Sequence, residues 1–386
     1  MSDEKMFLLK CKGCHAGFFT EGESSFYRVK GLHTPKRCKA CREKRKAQHE
    51  QNRKEQELKN VLANLQFEQM KENEVQSAAP NTVLYIIGNG FDLMHGVPSS
   101  YYNFRDSMGR RNELREALEL YIRKEDLWAD FEESLAYLDD EAMLVTLNDW
   151  MDIFGVKEQH DDGFSAADFF MAAEAAMSPT EIIMRELPRR FRKWIDTLMP
   201  TVSNKPLERM INTQSMFINF NYTEFLETIY GVSKRNVLYI HGERRDKNKE
   251  LISGHSNLDN RQLDIDPSEP RSNRLRMKNQ TTYDLHETAG FQLGNYHYST
   301  AKKSNEVIAT NKETFASLSE IEIVVVIGHS LSVVDHPYFR EVIRKNRAES
   351  NVMWYISWYS ASDIQRIGAF AKTLGIQPEQ IKLFKS

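Results

Sequence analysis

Val83-Leu84-Tyr85-Ile86-Ile87-Gly88-Asn89-Gly90-Phe91-Asp92 decides the fold of this chain. Five β-prone apolar residues run without a polar break into a Gly-x-Gly turn. A run that is apolar on both faces suits a strand covered on both sides, as in a parallel sheet. The glycines Gly88 and Gly90 permit positive φ and let another group approach the backbone closely. A helix starting in this turn would aim its free N–H groups at whatever occupies it and favour a phosphate. A tight strand-to-helix turn with no ligand fits the same residues. The dinucleotide fingerprint is incomplete, because Leu93 stands at its third glycine position.

Working outward, further strand-like runs lie at 215–219, 236–241, 321–327, 352–357 and 381–384. Residues 100–210 lack such runs and read as a helical insert, and the polar stretch 256–318 reads as a second excursion. Spaced strands with helical crossovers predict an α/β fold with a doubly wound, Rossmann-like parallel sheet. Ligands of such sheets bind beyond the carboxyl ends of the strands. Those ends read Gly88-Asn89-Gly90-Phe91-Asp92, Asn219-Phe220-Asn221-Tyr222-Thr223, His241-Gly242-Glu243 and Gly328-His329-Ser330-Leu331-Ser332, with Asp335 beyond. All are polar, and together they predict one nucleotide-binding crevice. His241 as a core histidine, and Asn219 or Asn221 as a cap on a helix starting near Thr223, fit the same residues.

Ser330 lacks the G-x-S-x-G elbow of a serine hydrolase. No G-x-x-x-x-G-K-[ST] phosphate loop occurs. Asp92, Glu132, His329 and Asp335 have no metal-ligand spacing, but a fold can assemble a nuclease centre from them in space.

The N-terminus carries different chemistry. All four cysteines lie in two pairs, Cys11-Lys-Gly-Cys14 and Cys38-Lys-Ala-Cys41. Two C-x-x-C knuckles supply the four-sulfur cage that zinc prefers, and the 23 residues between them suit a β-hairpin. Nine Lys or Arg stand against two Glu between Lys36 and Lys54. Phe18, Phe19, Phe26 and Tyr27 lie nearby, so RNA or DNA contact competes with a merely solvated face. Residues 43–76 read as a long exposed helix. Its short stripe Leu58, Val61, Leu62 and Leu65 is expected to dock on the main body or on a second subunit, making a homo-oligomer. The predicted organisation is a zinc ribbon at 1–45, a charged helical linker at 46–81 and a nucleotide-binding domain at 82–386.

A net charge of −3 over 386 residues excludes a general polyanion binder. No secretion signal and no apolar run of about 18–20 residues is visible, so no membrane span is expected. Cysteines confined to one site fit a reducing, cytoplasmic compartment.

The stretch from Gly17-Phe18-Phe19-Thr20-Glu21-Gly22-Glu23 through Pro35-Lys36-Arg37-Cys38-Lys39-Ala40-Cys41-Arg42 resembles a small bacterial zinc-ribbon domain, which implies a structural zinc. Ile86-Ile87-Gly88-Asn89-Gly90-Phe91-Asp92-Leu93-Met94-His95-Gly96-Val97-Pro98 resembles the opening signature of the AbiH abortive-infection family. Trp128-Ala129-Asp130-Phe131-Glu132, Asn219 to Thr223, Tyr239-Ile240-His241-Gly242 and Gly328 to Ser332 resemble its later blocks. More distantly, these blocks are similar in order to sirtuin-like NAD-binding domains of defence systems. That likeness puts Asn221 and His241 at the catalytic positions and Gly88, Gly90, Ser330 and Leu331 on cofactor contacts. Phe220, Thr223 and Asn89 depart from it, standing where Thr, Asp and a small residue are usual. Asn89, Phe91, Asn219, Gly328 and Asp335 join the same crevice by their places at strand ends. The resemblances imply a cytoplasmic antiphage effector, answering a phage-derived trigger and hydrolysing the nicotinamide–ribose bond of NAD. Asn221 would orient the ribose or water, His241 would act as base, and Asp92 would hold a ribose hydroxyl. A nucleic-acid-cleaving effector and a non-catalytic nucleotide sensor are the rival readings.

Overall fold

The computed structural model describes residues 9–18, 21–30, 33, 35–63, 67–71, 74–156, 165–201, 204–256, 291–346 and 352–386. The chain divides into two compact units, Met1–Gln66 grouped with Ser360–Ile364, and Phe67–Tyr359 with Gln365–Ser386.

In the first unit, β1 (Leu9–Lys10) pairs antiparallel with β2 (Gly17–Phe18), and the turn between them carries Cys11 and Cys14. Helix α1 (Glu21–Val29) follows, and α2 (Lys39–Ala63) begins inside the second cysteine pair. The hairpin expected between the pairs is therefore replaced by a helix, while a hairpin holds the first pair. Val29 is the one β-branched residue of α1, so its sequence favours a strand only weakly. The long helix also differs from expectation, running over Lys39–Ala63 and not over 43–76. The side chains of Leu58, Val61 and Leu62, and residues Phe19, Leu65 and 257–290, lie outside the described residues.

The second unit is built on seven parallel strands. These are β3 (Glu68–Gln69), β4 (Val83–Ile87), β5 (Met216–Asn219), β6 (Val237–Tyr239), β7 (Ile323–Ile327), β8 (Met353–Trp358) and β9 (Ile381–Lys385). Their order across the sheet is β3-β9-β8-β7-β4-β5-β6. β3 is the strand that pattern reading misses. Two polar residues carry no apolar signal, and only backbone pairing with Lys382 and Leu383 makes them a strand. Every residue of β4 is buried, as its apolar run requires. The chain leaves β4 first toward β5 and β6 and later toward β7, β8 and β9. Right-handed crossovers in opposite directions put connecting helices on opposite faces of the sheet.

Helices α3 (Asn89–Met94), α4 (Tyr101–Met108), α5 (Glu113–Tyr121), α6 (Phe131–Ser134), α7 (Asp140–Ile153) and α8 (Ala166–Thr197) fill the space between β4 and β5, as the expected helical insert. Ser100, Asn112, Asp139 and Ser165 each accept a backbone N–H at a helix start. These side chains satisfy donors that the helix itself leaves unpaired. An aromatic cluster of Tyr101, Phe104, Trp128, Phe131, Phe191 and Trp194 binds the insert together. Phe191 also meets Tyr222, just beyond β5, at 5.2 Å between rings. This packing anchors α6 beside the ends of the central strands. Beyond β5 come α9 (Phe225–Tyr230), a helix over 291–299 (α10), α11 (Ser304–Thr310), α12 (Lys312–Ala316), α13 (His336–Lys345) and α14 (Ala361–Leu374).

Four strands end level. Ile87 is in register with both Asn219 and Ile327, and Asn219 with Tyr239. The ladder continues one step further: Gly88 N–H donates to Ile327 O, Phe220 N–H to Ile87 O and Ile240 N–H to Asn219 O. The turns after β4 and β7 then interlock. Gly90 N–H donates to Gly328 O at 2.7 Å. A Cβ at Gly90 would lie 2.6 Å from Gly328 Cα, and one at Gly88 would lie 2.5 Å from His329 Cα. Gly328 has φ +63, and a Cβ there would stand 2.3 Å from Phe91 N. The close approach that these glycines permit is thus made by the protein's own backbone.

Gly328→Ala should therefore destabilise the second unit by about 2–4 kcal/mol, combining the left-handed backbone cost with backbone overlap. Fluorescence-monitored urea unfolding measures this. Unchanged stability would mean that the two turns do not interlock.

Candidate functional site

Two sites emerge, one in each unit. In the first, the Sγ atoms of Cys11, Cys14, Cys38 and Cys41 all lie within 4.8 Å of one another, and all four cysteines are free thiols. Cys14 Sγ and Cys38 Sγ are 3.7 Å apart. A tetrahedron with Zn–S bonds of about 2.3 Å has edges of about 3.8 Å, so the spacing fits zinc. The N–H groups of Gly13 and Cys38 donate to Cys11 Sγ, each at 3.3 Å. Backbone N–H groups, first that of Cys14, pull the Cys11 thiol down to about 5. Hydrogen bonding to the neighbouring thiolates, first Cys11, pushes Cys41 up to about 12. Four packed sulfurs cannot all ionise without a cation, and a divalent ion removes that conflict. A Cβ at Gly13 would come within 3.0 Å of Cys41 Sγ, so the glycine leaves room for the sulfur. The cage points to a structural zinc ion.

The second site lies at the level strand ends. Asp335, just before α13, is its centre. Its Oδ1 accepts from Lys302 Nζ at 3.0 Å and faces His241 Nε2 at 3.5 Å. Its Oδ2 faces His329 Nε2 at 3.4 Å. Lys302 Nζ also donates to Glu132 Oε2 at 2.8 Å. The Lys302 side chain is fully buried, and those of His241, His329 and Asp335 are nearly so. Phe220, Tyr222 and Tyr338 rings pack around His241. Four distant segments thus supply one cluster around Asp335: the turn after β6 gives His241, the turn after β7 gives His329, α6 gives Glu132, and the segment before α11 gives Lys302.

The electrostatics follow from burial. Burial by itself would push Asp335 up, but Lys302, His241 and His329 together hold it well below the ordinary carboxylate range. His241 is lowered, first by burial and then by Lys302, so it is neutral at physiological pH. Its Nε2 makes no hydrogen bond of good geometry. His329 is fixed differently. Its Nδ1 accepts from Leu331 N–H at 2.9 Å, which leaves Nε2 as the protonated nitrogen facing Asp335. Leu331 sits at φ +56 to make that bond, a strained backbone for a branched residue.

A second network lies beside the first. Asp92 is buried and accepts from Asn221 Nδ2 at 2.9 Å and from Thr223 Oγ1 at 2.7 Å. Asn221 Nδ2 also donates to Gly88 O at 3.0 Å. Asn219 Oδ1 accepts from Asn221 N–H, and Asn219 Nδ2 donates to Thr223 O. Both amides thus shape the turn after β5 and tie it to the turn after β4.

The remaining expected contacts disperse. Asn89 Nδ2 holds Ser99 O at 2.9 Å. Phe91 packs in the core against His95 and Tyr230. Ser330 is exposed and Leu331 buried. The helix expected to receive a phosphate, α3, has six residues, and the N–H groups of Gly88, Gly90 and Phe91 already donate to protein carbonyls. Lys302 is the residue that sequence reading missed. It stands in the polar run Ala301-Lys302-Lys303-Ser304, where nothing distinguishes it from a surface lysine.

Residues 84–358 match the family described as bacteriophage abortive infection AbiH. The chain belongs to the AbiH family. That membership supports a role in phage abortive infection. Residues 7–50 match a probable treble clef domain, which spans the four-cysteine cage. No curated protein and no solved structure matches the chain. No helix among the described residues is long and apolar enough to cross a membrane.

The AbiH chain should bind one zinc ion per molecule, and Cys38→Ser with Cys41→Ser should lose it, as read by metal analysis of the purified protein. A metal-free wild type with an intact first unit would contradict this.

Asp92 gives a pH signature. Burial pushes it up to about 7 from an ordinary 3.8, against the hydrogen bonds of Thr223 and Asn221. The folded state then holds this proton more tightly than the unfolded chain. Its stabilising contribution is complete below the unfolded value and is lost as pH rises toward the folded one. Compared with Asp92→Asn, the wild type should lose stability between about pH 4 and 7. Thermal melts of both proteins across that range measure the difference, and a constant difference would refute the assignment.

Proposed function

We propose that the crevice around His241 and Asp335 binds a nucleotide, and that the reaction is hydrolysis of the nicotinamide–ribose bond of NAD during abortive infection. The observation that carries this reading is the convergence of His241 and His329 on one buried Asp335 at level strand ends. Numbered from β4, the strands β6-β5-β4-β7-β8-β9 run 3-2-1-4-5-6, the order of Rossmann-like dinucleotide-binding sheets. The switch between β4 and β7, where such sheets place their ligand, lies where Gly88 and Gly328 turn. The likeness of the His-Gly and late Gly-x-Ser-Leu blocks to sirtuin-like domains supports NAD in particular.

The chemistry asks for a base and for electrostatic support of a cationic ribose, as glycosidases provide. Nicotinamide leaves NAD as a neutral molecule, so no acid is needed for departure. Water adds to the ribose carbon, and its proton passes to neutral His241. With Nε2 turned toward Asp335, Nδ1 is the basic nitrogen. Asp335 then steadies the imidazolium that forms, and such pairs tighten when a substrate is bound. His329 has no free basic nitrogen and serves to position Asp335. Asn221 and Asp92 act as positioning residues, because their polar atoms hold the turns together. Lys302 Nζ stands between Glu132 and Asp335, where a metal-dependent nuclease would need its cation.

Incubating the full chain with NAD and following free nicotinamide by NMR tests the reading. His241→Ala should lower the rate by about 10²–10⁴-fold, the usual worth of a general base. The active limb of the pH profile should extend below the ordinary histidine value of 6.5, because His241 is lowered. Release by His241→Ala at the wild-type rate would overturn the mechanism. Undiminished NAD in phage-infected cells carrying the wild type would overturn NAD as the substrate.

A further inference from the structure

The treble clef unit carries a feature that the crevice chemistry does not use. Between residues 9 and 63, fourteen Lys or Arg stand against six Glu. The rest of the chain carries 38 against 49, from totals of 52 and 55. A chain close to neutral overall is thus strongly polarised, with its positive charge gathered in the small unit.

The charge is also ordered. Lys39, Arg42, Lys46 and Arg53 follow one another at i, i+3, i+7 and i+14 on α2. At 3.6 residues per turn they fall within an arc of about 60° and span about 21 Å of helix axis. All four are exposed. The row starts at the zinc cage, since Lys39 lies between Cys38 and Cys41. Metal binding therefore fixes the first turn of the helix that bears the row.

We infer that this face of α2 docks along the phosphate backbone of a nucleic-acid duplex. A straight row of cations on a rigid helix matches a regular row of phosphates, and each contact releases counterions. A membrane surface fits less well. From Lys39 to Arg53 the apolar residues are Ala40, Cys41 and Ala47, so no apolar face is available to enter lipid. Single strands fit less well too, because α2 contains no Phe, Tyr or Trp on which bases would stack. Contacts of this kind read the backbone and not the bases, so binding is independent of sequence. The inference goes beyond the NAD reading and does not rest on it.

Fluorescence anisotropy of the zinc-loaded full chain, with short labelled DNA and RNA duplexes, tests it. Four Lys or Arg contacts at about −0.9 each predict a slope of about −3.6 for log K against log salt, roughly a hundredfold loss between 50 and 200 mM. Arg42→Gln with Arg53→Gln should bring the slope to about −1.8. The matching Arg→Lys pair should keep it, because a phosphate contact needs charge and not shape. Zinc content and circular dichroism should be the same in all variants, since both side chains are exposed. Tighter binding to one duplex identifies DNA or RNA as the partner. Three results would overturn the inference: no duplex binding at low salt, an unchanged slope in the Gln pair, or preference for single strands or for phosphatidylserine vesicles.

Discussion

Two glycine turns packed backbone against backbone hold the working end of this AbiH chain together. Gly88 and Gly90 lie after β4, and Gly328 lies after β7. Their contact is closer than any side chain would allow. That contact leaves β4 and β7 ending level and starts the next turn at His329. The His329 ring then lies against Phe220 of the neighbouring turn, 4.5 Å between centroids. Asn221 ties that turn to Gly88 O, so three strand ends become one rigid platform. The site is built on this platform, and mobility in any one turn would be felt by all.

Two buried carboxyl groups on the platform have opposite fates. Asp335 faces Lys302 and two histidines and stays ionised. Asp92 faces the neutral groups of Asn221 and Thr223, and burial pushes it toward its protonated form. Environment, not residue type, assigns the roles, as it does wherever two acids in one site must behave differently. Lys302 is what keeps Asp335 charged in a dry setting. Its ammonium is shared by Glu132 and Asp335, and a buried charge is tolerated only when so paired.

The first unit solves a different problem. Its described residues between 9 and 63 bury little apolar surface, with Cys11 the one buried apolar side chain among them. A unit whose described residues form so little core needs another source of cohesion, and four cysteines spaced to hold a metal ion can supply it. From Lys39 to Arg53 every residue of α2 except Cys41 is exposed, so this surface is available for charge.

Patterning alone determined a good deal. The apolar run 83–87 announced a buried parallel strand, because a strand covered on both faces must be apolar throughout. The C-x-x-C pairs announced a metal cage, because knuckle geometry is local. The polar strand ends were expected to lie together, and His241 and Asp335 do meet beyond them. Other features were invisible for a physical reason. A two-residue polar strand at 68–69 exists only through pairing with β9. Lys302 reads as a surface lysine until the fold buries it between two carboxylates. Gly88 and Gly90 read as ligand contacts, yet the atoms that approach them belong to Gly328 and His329. Local sequence dictates what a segment can form, whereas the neighbours that meet it across the sheet are chosen by the tertiary structure.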